Sequence, residues 1–128
     1  MTIYVADTHA WVFYLLDKLP KKVDKVFSEA ERGRTFIFIP TIALAECLYL
    51  VERKKIDLDF SNLLSKLRNG GNFVPVPLTL NVVERLPNVP LLEIHDRIIV
   101  ATAQILDAKV LTKDKHIAES GFVKTIWQ

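Results

Sequence analysis

The sequence predicts an α/β fold in which helices cover both faces of a parallel sheet. Five short runs of strand length are separated by segments with helical periodicity, an alternation typical of parallel sheets with right-handed crossovers. The runs at 3–6 and 36–39 are apolar throughout, as expected of strands that are covered on both faces. With 128 residues, 50% of them hydrophobic, the chain has the size of a single domain, residues 1–128.

Composition narrows the class of protein. The net charge of +2 is too small to predict nucleic-acid binding by itself. No apolar run approaches the roughly 20 residues of a membrane span, and the apolar start of the chain meets Asp7 too early for a signal peptide. The single cysteine, Cys47, cannot form an internal disulfide, which fits a reducing compartment. We therefore expect a cytoplasmic protein that does not contact membranes.

The chain begins with one strand and two helices. The strand at 3–6 ends at Asp7, and either Asp7 or Thr8 is expected to cap the helix that follows. A second helix is predicted from Pro20, a residue that suits a first turn, to Gly33, a residue that suits a terminus. The charged side of this second helix is interpreted as ordinary solvated surface.

A second strand leads into a helix that is apolar on nearly every side. Pro40 stops the strand, and Thr41 is expected to cap a helix that runs to Val51. Because few polar residues interrupt this helix, we expect it to be buried. Glu46 is its one charge before Glu52, and a lone carboxylate in apolar surroundings is costly unless it is paired with a cation or bound to a metal. The sequence leaves both explanations open.

The middle of the chain is expected to form a helix and then a strand at the sheet edge. Asp59 is the expected cap of the helix, and two prolines in the run 73–77 remove hydrogen-bond donors, which suits an edge strand. A brief helix at 81–86 and a last strand at 123–127 complete the pattern. Nearby cations are interpreted as a solubility surface: Arg53, Lys54, Lys55, Lys66 and Arg68.

Four acids stand beside strongly apolar segments. Asp7 and Asp114 follow predicted strands, while Glu46 and Asp96 lie early in predicted helices, Asp96 within the apolar stretch 91–103. Ligands of an α/β sheet bind beyond the carboxyl ends of its strands, so the four acids should converge if the first and fourth strands are neighbours. Each acid also has a local explanation, as a helix cap, a turn residue or half of an ion pair.

Carboxylates that converge repel one another unless a cation offsets them. A site of oxygen ligands without a cysteine or histidine cluster suits Mg²⁺ or Mn²⁺, and such ions support hydrolysis of phosphodiester bonds. In this hypothesis Asp7, Asp96 and Asp114 hold the principal ion, and Glu46 binds a second ion or orients the attacking water.

Other polar residues near the acids have two explanations each. Thr8 and Thr112 can orient a ligand or water, although helix capping explains them equally well. Arg97, Lys113 and Lys115 are candidates for contacts with flanking phosphates. The three histidines are scattered and are interpreted as polar surface or local caps: His9, His95 and His116.

Several motifs together resemble the PIN domain family, and VapC-type toxins in particular. They are Asp7-Thr8-His9-Ala10, Glu46 within its helix, the segment His95–Ala103, Leu111-Thr112-Lys113-Asp114 and the terminal Ile126-Trp127. The resemblance covers nearly the whole chain. It implies a PIN-like, Rossmann-like α/β/α sandwich with strand order 3-2-1-4-5, and a Mg²⁺- or Mn²⁺-dependent endoribonuclease that cuts RNA.

The resemblance also implies residue roles and partners. Asp7, Glu46, Asp96 and Asp114 would be the acidic quartet and Thr112 an accessory polar residue. The molecule would be a homodimer that a small VapB-type antitoxin holds inactive. The departure from the pattern is the Val-Pro-Val-Pro segment at 74–77, which leaves the pairing of the third strand open.

Three other functions share parts of this pattern. An RNA-maturation nuclease without an antitoxin and a non-catalytic PIN-like interaction domain both remain open, although the intact quartet favours catalysis. A phospho-acceptor receiver module needs an acid after the third strand and a lysine after the fifth. Here the third strand ends in Val76-Pro77-Leu78 and Lys124 lies inside the predicted fifth strand, so this function is disfavoured.

Overall fold

The protein is an α/β sandwich with seven α-helices and five strands in the part of the chain that its structure, a computed structural model, describes: residues 2–90 and 92–128. Leu91, which opens the apolar stretch before Asp96, lies outside the described residues. The elements in chain order are β1 Tyr4–Ala6, α1 Thr8–Leu15, α2 Lys21–Glu31, β2 Ile37–Pro40, α3 Thr41–Glu52, α4 Phe60–Asn69, β3 Phe73–Val76, α5 Leu80–Arg85, a 3₁₀ turn Leu86–Asn88, α6 Ile94–Leu106, β4 Lys109–Leu111, α7 Lys115–Glu119 and β5 Thr125–Ile126.

The sheet is parallel throughout, with strand order β3-β2-β1-β4-β5, so the predicted fold class and strand order are confirmed. The first strand lies at the centre, where Val5 is in register with Phe38 of β2 and Val110 of β4. The strand order reverses between β1 and β4. A crevice at such a switch point is the usual ligand site of an open α/β sheet.

Side chains alternate between the two faces of the central strands. Val5 and Val110 share a cluster with Ile99 and Ala103 of α6, while Ala6 and Leu111 belong to the larger cluster that includes α1 and α2. Because both faces are covered by helices, the strands are nearly continuous apolar runs. The segments that follow β1 and β4 are thereby held at one edge of the sheet.

The expectation that α3 is buried is wrong. Ala43, Leu44 and Cys47 pack into the core, but the Tyr49 side chain is 55% exposed and Leu48 is also exposed. The helix is apolar all round, yet a single chain provides a covering surface on one side only. The expected Thr41 cap is also wrong, because Pro40 is the N-cap residue and makes no side-chain capping bond.

The edges of the sheet follow the expectations in part. The strand with two prolines, β3, lies at one edge of the sheet, as expected because proline lacks an amide hydrogen-bond donor. Its Pro75 is in register with Ile39 of β2. The last strand is shorter than the predicted run 123–127 and comprises Thr125 and Ile126 alone. Of the helices in the described part of the chain, none is long and apolar enough to cross a membrane.

Candidate functional site

A cleft of about 270 Å³ opens at the carboxyl edge of the sheet, beside the switch point. Its lining includes the four acids singled out from the sequence: Asp7, Glu46, Asp96 and Asp114. They come from the end of β1, from α3, from the first turn of α6 and from the segment after β4. The expectation that these acids converge is therefore met by the fold, whereas their roles stay predictions.

Asp7 is the most firmly held of the four acids. Its Oδ1 accepts a hydrogen bond from the Ala10 amide at 2.8 Å, which caps α1, and its Oδ2 accepts one from the Thr112 hydroxyl. The side chain is buried. Burial raises the pKa of Asp7, while the hydrogen bonds from Thr112 and Ala10 oppose that rise. Of the two caps proposed for α1, Asp7 is the correct one.

Thr112 connects two of the acids. Its hydroxyl donates to Asp7 and accepts from the Asp114 amide at 3.0 Å. Asp114 in turn caps α7, because its Oδ1 accepts from the Ile117 amide at 3.1 Å. The accessory position predicted for Thr112 therefore corresponds to a hydrogen-bonded link between the ends of β1 and β4.

Glu46 is held by the other threonine. The Thr8 hydroxyl donates to Glu46 Oε1 at 3.0 Å across the gap between α1 and α3. The sequence left open an ion pair between Glu46 and a Lys or Arg. No such pair involves Glu46 among residues 2–90 and 92–128. The hydrogen-bond partner of Glu46 in the cleft is therefore a neutral group.

Asp96 is a partly exposed acid of the cleft whose pKa is raised. Burial is the largest cause, and the charges of Asp114, Glu93, Asp7 and Glu46 add to it, raising the pKa of Asp96 to about 6. Proximity of negative charges disfavours another carboxylate. The pKa of Asp96 therefore reflects its burial first and the negative charges of the neighbouring acids second.

Glu93 is a further acid of the cleft that the sequence interpretation did not single out. It is the N-cap of α6, where it accepts from the His95 amide at 3.1 Å, and its carboxylate lies 2.9 Å from His95 Nδ1. Glu93 directly precedes Ile94, the first residue of α6, and Asp96 is the third residue of that helix. The start of α6 is therefore the sequence signal that points to Glu93.

The histidines and basic candidates lie in different surroundings. His9, His95 and Lys113 line the cleft, and the Lys113 ammonium also sits 4.6 Å from the centre of the Phe13 ring. The remaining candidates for phosphate contact are not among the residues that line the cleft: Arg97 and Lys115. Arg97 instead donates from Nε to the Leu92 carbonyl at 3.0 Å, where it braces the entry to α6.

The donor chemistry of the cleft fits a hard divalent cation. Several carboxylates share the space, and none of the four predicted ligands has a cationic ion-pair partner in the described ranges. As the side chains stand, however, no group of three or more His, Cys, Asp or Glu residues in those ranges is arranged to hold a metal. Asp7 is fixed by its hydrogen bonds, so closure around an ion would require the other acids to turn toward it.

Fold and cleft together define a class: a doubly wound α/β protein with an acidic cleft at the carboxyl ends of its central strands. A family model for the PIN domain matches residues 4–123. The chain belongs to the PIN domain family, which confirms the family predicted from the sequence. Proteins of this family are generally nucleases that use divalent metals.

Solved structures of the same fold come from bacterial toxin–antitoxin systems. The VapBC2 complex of Rickettsia felis, bound to a DNA fragment from its promoter, has a TM-score of 0.74 at 16% identity, covering 99% of this chain and 100% of that one. A toxin–antitoxin complex from Klebsiella pneumoniae has a TM-score of 0.65 at 18% identity and covers 96% and 95%. FitAcB of Neisseria gonorrhoeae has a TM-score of 0.65 at 17% identity and covers 97% and 96%.

At these identities the structural likeness establishes the fold alone. A comparison with curated protein sequences finds no match.

Proposed function

We propose that the chain, residues 1–128, is a single PIN domain that acts as a Mg²⁺- or Mn²⁺-dependent endoribonuclease. The observation that carries this proposal is the convergence of four acids from four different elements on one cleft: Asp7, Glu46, Asp96 and Asp114. Capping alone explains why Asp7 and Asp114 lie at this edge, but it gives no reason for Glu46, in the middle of α3, to line the same cleft. A cation that neutralises them gives such a reason.

The four acids are proposed to hold the ion, with Asp7, Asp96 and Asp114 as principal ligands. A divalent ion bound there supplies positive charge to the scissile phosphate and a water of lowered pKa. Thr112 fixes Asp7 relative to Asp114, and Thr8 fixes Glu46, so the hydroxyls keep the ligands oriented.

Phosphate binding beside the acids is assigned to Lys113, the one cation of the three candidates that lines the cleft. Its ammonium places a positive charge next to the four acids, where a flanking phosphate of the substrate can approach. Arg97 and Lys115 lie outside this lining and are less direct candidates.

We further propose that the protein is the toxin of a VapBC-type pair, working in the cytoplasm as a homodimer and inhibited by a small VapB-type antitoxin. The support is the shared fold of the toxin–antitoxin complexes, which covers almost the entire chain in each case. The exposed apolar residues of α3, Leu48 and Tyr49, agree with a surface that a partner covers.

The test is incubation of the purified protein with total RNA in the presence of Mn²⁺, Mg²⁺ or EDTA, followed by mapping of the new ends. We expect discrete cleavage with either metal and none with EDTA. A variant with Asp7→Asn should not cleave. Cleavage that persists in EDTA, or in this variant, would refute the metal site. Absence of cleavage under every condition would favour the non-catalytic interaction domain.

A further inference from the structure

Two large clefts that adjoin at Thr2 reach the amino edge of the sheet, opposite the acidic cleft, and the one beside α2 extends along the helix to Ile126 of β5. One of about 400 Å³ lies beside α2 and the other, of about 690 Å³, lies where α6 ends, and both include Thr2 at the start of β1. The clefts contain six cations, which we call the amino-edge cations: Lys22, Lys25, Arg34, Arg85, Lys109 and Lys124.

The charges at this edge do not cancel. The same linings contain only two acids, Glu29 and Asp107, and Glu29 is already 3.7 Å from the Arg34 guanidinium. The helices α2 and α6 end next to β2 and β4, and each helix end contributes about half a negative charge. With both acids and both helix ends counted, the edge retains a charge of about +3. Cations placed only to balance the helix ends would leave no such excess.

One amino-edge cation is held in a defined orientation. Arg85 donates from Nε to Gln104 Oε1 at 2.7 Å, and Gln104 Nε2 donates to the Phe122 carbonyl at 3.1 Å. Among the described residues, no carboxylate pairs with Arg85. Its two terminal NH₂ groups are therefore left for an external acceptor, and a guanidinium oriented in this way suits the oxygens of a phosphate.

The arrangement favours a chain of phosphates over a single anion. The cations do not converge on one point: Arg34, Lys109 and Lys124 lie at or just before the starts of β2, β4 and β5, and the other three belong to α2 and α5. The starts of β2, β1, β4 and β5 span about 14 Å at the usual strand spacing. That length matches about four phosphates of a nucleic-acid strand at helical spacing. Most of the six are exposed, as contacts with a solvated backbone require.

We propose that the amino-edge cations form a second RNA-binding surface, which holds the phosphate backbone of RNA outside the catalytic cleft. This proposal rests on the proposed nuclease function, because that function identifies RNA as the ligand. Since the two edges are separated by the sheet itself, RNA long or structured enough to reach around the molecule would contact both. A short single strand bound in the acidic cleft would not.

The experiment compares two triple variants that change net charge equally. One carries Lys22→Glu, Lys25→Glu and Lys124→Glu at the amino edge. The control carries Lys54→Glu, Lys55→Glu and Arg68→Glu, exposed residues of the α3–α4 turn and of α4. None of these six side chains forms an ion pair within the described residues. Circular dichroism and thermal unfolding establish that both variants fold.

Binding of a fluorescent single-stranded RNA long enough to reach around the molecule is measured by anisotropy in EDTA, where no metal-dependent cleavage occurs. At about 50 mM salt we expect the amino-edge variant to lose about tenfold in affinity and the control less than threefold. Between about 50 and 200 mM salt, the slope of log affinity against log salt should fall by about 2 in the amino-edge variant alone. Equal losses in both variants would overturn the proposal.

A competition arm distinguishes RNA from an acidic protein. Unlabelled RNA should displace the probe, and polyglutamate of the same charge concentration should not. Displacement by polyglutamate alone would assign the surface to an acidic protein and overturn the proposal. Because the assay needs no cleavage, its failure differs from failure of the nuclease proposal. If only the nuclease proposal fails, the wild type and both variants bind RNA with the affinities expected above, and none of them cleaves it.

Discussion

The two edges of the sheet differ in charge because different parts of the chain build them. The carboxyl edge carries Asp7 directly after β1 and Asp114 three residues after the end of β4, and α3 and α6 add Glu46 and Asp96. The amino edge carries cations that belong mostly to helices and loops. Strand ends fix side chains within a hydrogen-bonded framework, whereas loops and exposed helix faces do not. Three of the four acids at the carboxyl edge are thus held by hydrogen bonds, whereas most cations of the amino edge are exposed.

This difference predicts which substitutions should reduce RNA cleavage most. The acids at the carboxyl edge share an electrostatic field, and Asp7 also has defined hydrogen-bond partners. An acid at the amino edge, such as Asp107, is exposed and stands among cations. The same change of Asp to Asn at the two edges is therefore a direct comparison.

The largest effect is expected from Asp7→Asn or Asp96→Asn in the proposed nuclease. Each should reduce RNA cleavage by about 100-fold or more, since electrostatic groups of an active site supply about 3 kcal/mol each. Asp107→Asn is the matched control, because asparagine tolerates the left-handed conformation that Asp107 adopts, φ 52°. Initial rates of cleavage with Mn²⁺ provide the measurement. A comparable loss in the Asp107 variant would show that the two edges do not differ.

The next largest effect is stabilisation by a divalent ion. At a Mn²⁺ concentration about 100 times its Kd, binding to the folded state adds about 2.7 kcal/mol to the free energy of unfolding, and Tm should rise by about 10 °C. Differential scanning calorimetry with Mn²⁺ and with EDTA measures the rise. The Asp107→Asn protein should keep it and the Asp96→Asn protein should lose most of it. An equal rise in both variants would place the ion elsewhere.

The carboxyl edge could be predicted from the sequence because strand ends are easy to locate. The apolar runs before Asp7 and Asp114 mark where the chain leaves the sheet, and parallel strands bring such points to one edge. The family resemblance then supplied the order that makes β1 and β4 neighbours. Glu93 was missed because the first residue of α6 was not assigned, and the position of an N-cap depends on that assignment.

The amino edge could not be predicted in this way. Lys22 and Lys25 alternate with acids along α2 and match an ordinary solvated face, while Arg85 and Lys124 are distant in sequence. Nothing in their spacing indicates that they border adjoining clefts. The exposure of α3 was mispredicted for a related reason. An apolar helix reveals that it needs a covering surface, but not whether that surface belongs to the same chain.

A smaller effect is expected from Thr112→Val, which removes the hydroxyl that joins Asp7 to Asp114. Valine keeps the shape of the side chain but leaves Asp7 Oδ2 and the Asp114 amide without their partner. Loss of a group that orients a metal ligand typically costs about 10–100-fold in metal affinity or activity. Isothermal titration with Mn²⁺ and cleavage rates should both show it.

The matched control is Thr102→Val. Thr102 is also buried, but its hydroxyl donates to the Ile98 carbonyl inside α6, away from the acids. Its replacement should leave the affinity for Mn²⁺ within about twofold of the wild type. Equal losses of affinity in the two threonine variants would indicate a general effect of removing a buried hydroxyl and would contradict the role assigned to Thr112.

The smallest effect concerns the stability of the metal-free protein. The pKa of Asp96 is about 6 in the folded chain and about 3.9 when unfolded. Between these pH values the folded state binds more protons, so the free energy of unfolding falls as pH rises from about 4 to 6 and stays low above that. Solvent screening in the half-exposed cleft reduces this pH-dependent change in the free energy of unfolding to about 1 kcal/mol. Asp96→Asn should therefore stabilise the metal-free protein by about 1 kcal/mol near pH 7.5 and hardly at all near pH 4.

Urea unfolding in EDTA at the two pH values measures this difference, with Asp107→Asn as the control from the amino edge. A stabilisation that is present at neutral pH and lost in acid would identify the crowding of negative charge as its cause. A variant that is less stable than the wild type at neutral pH would mean that the Asp96 carboxylate stabilises the fold without metal. The carboxyl edge would then be a structural polar network, and its contrast with the amino edge would no longer support a metal site.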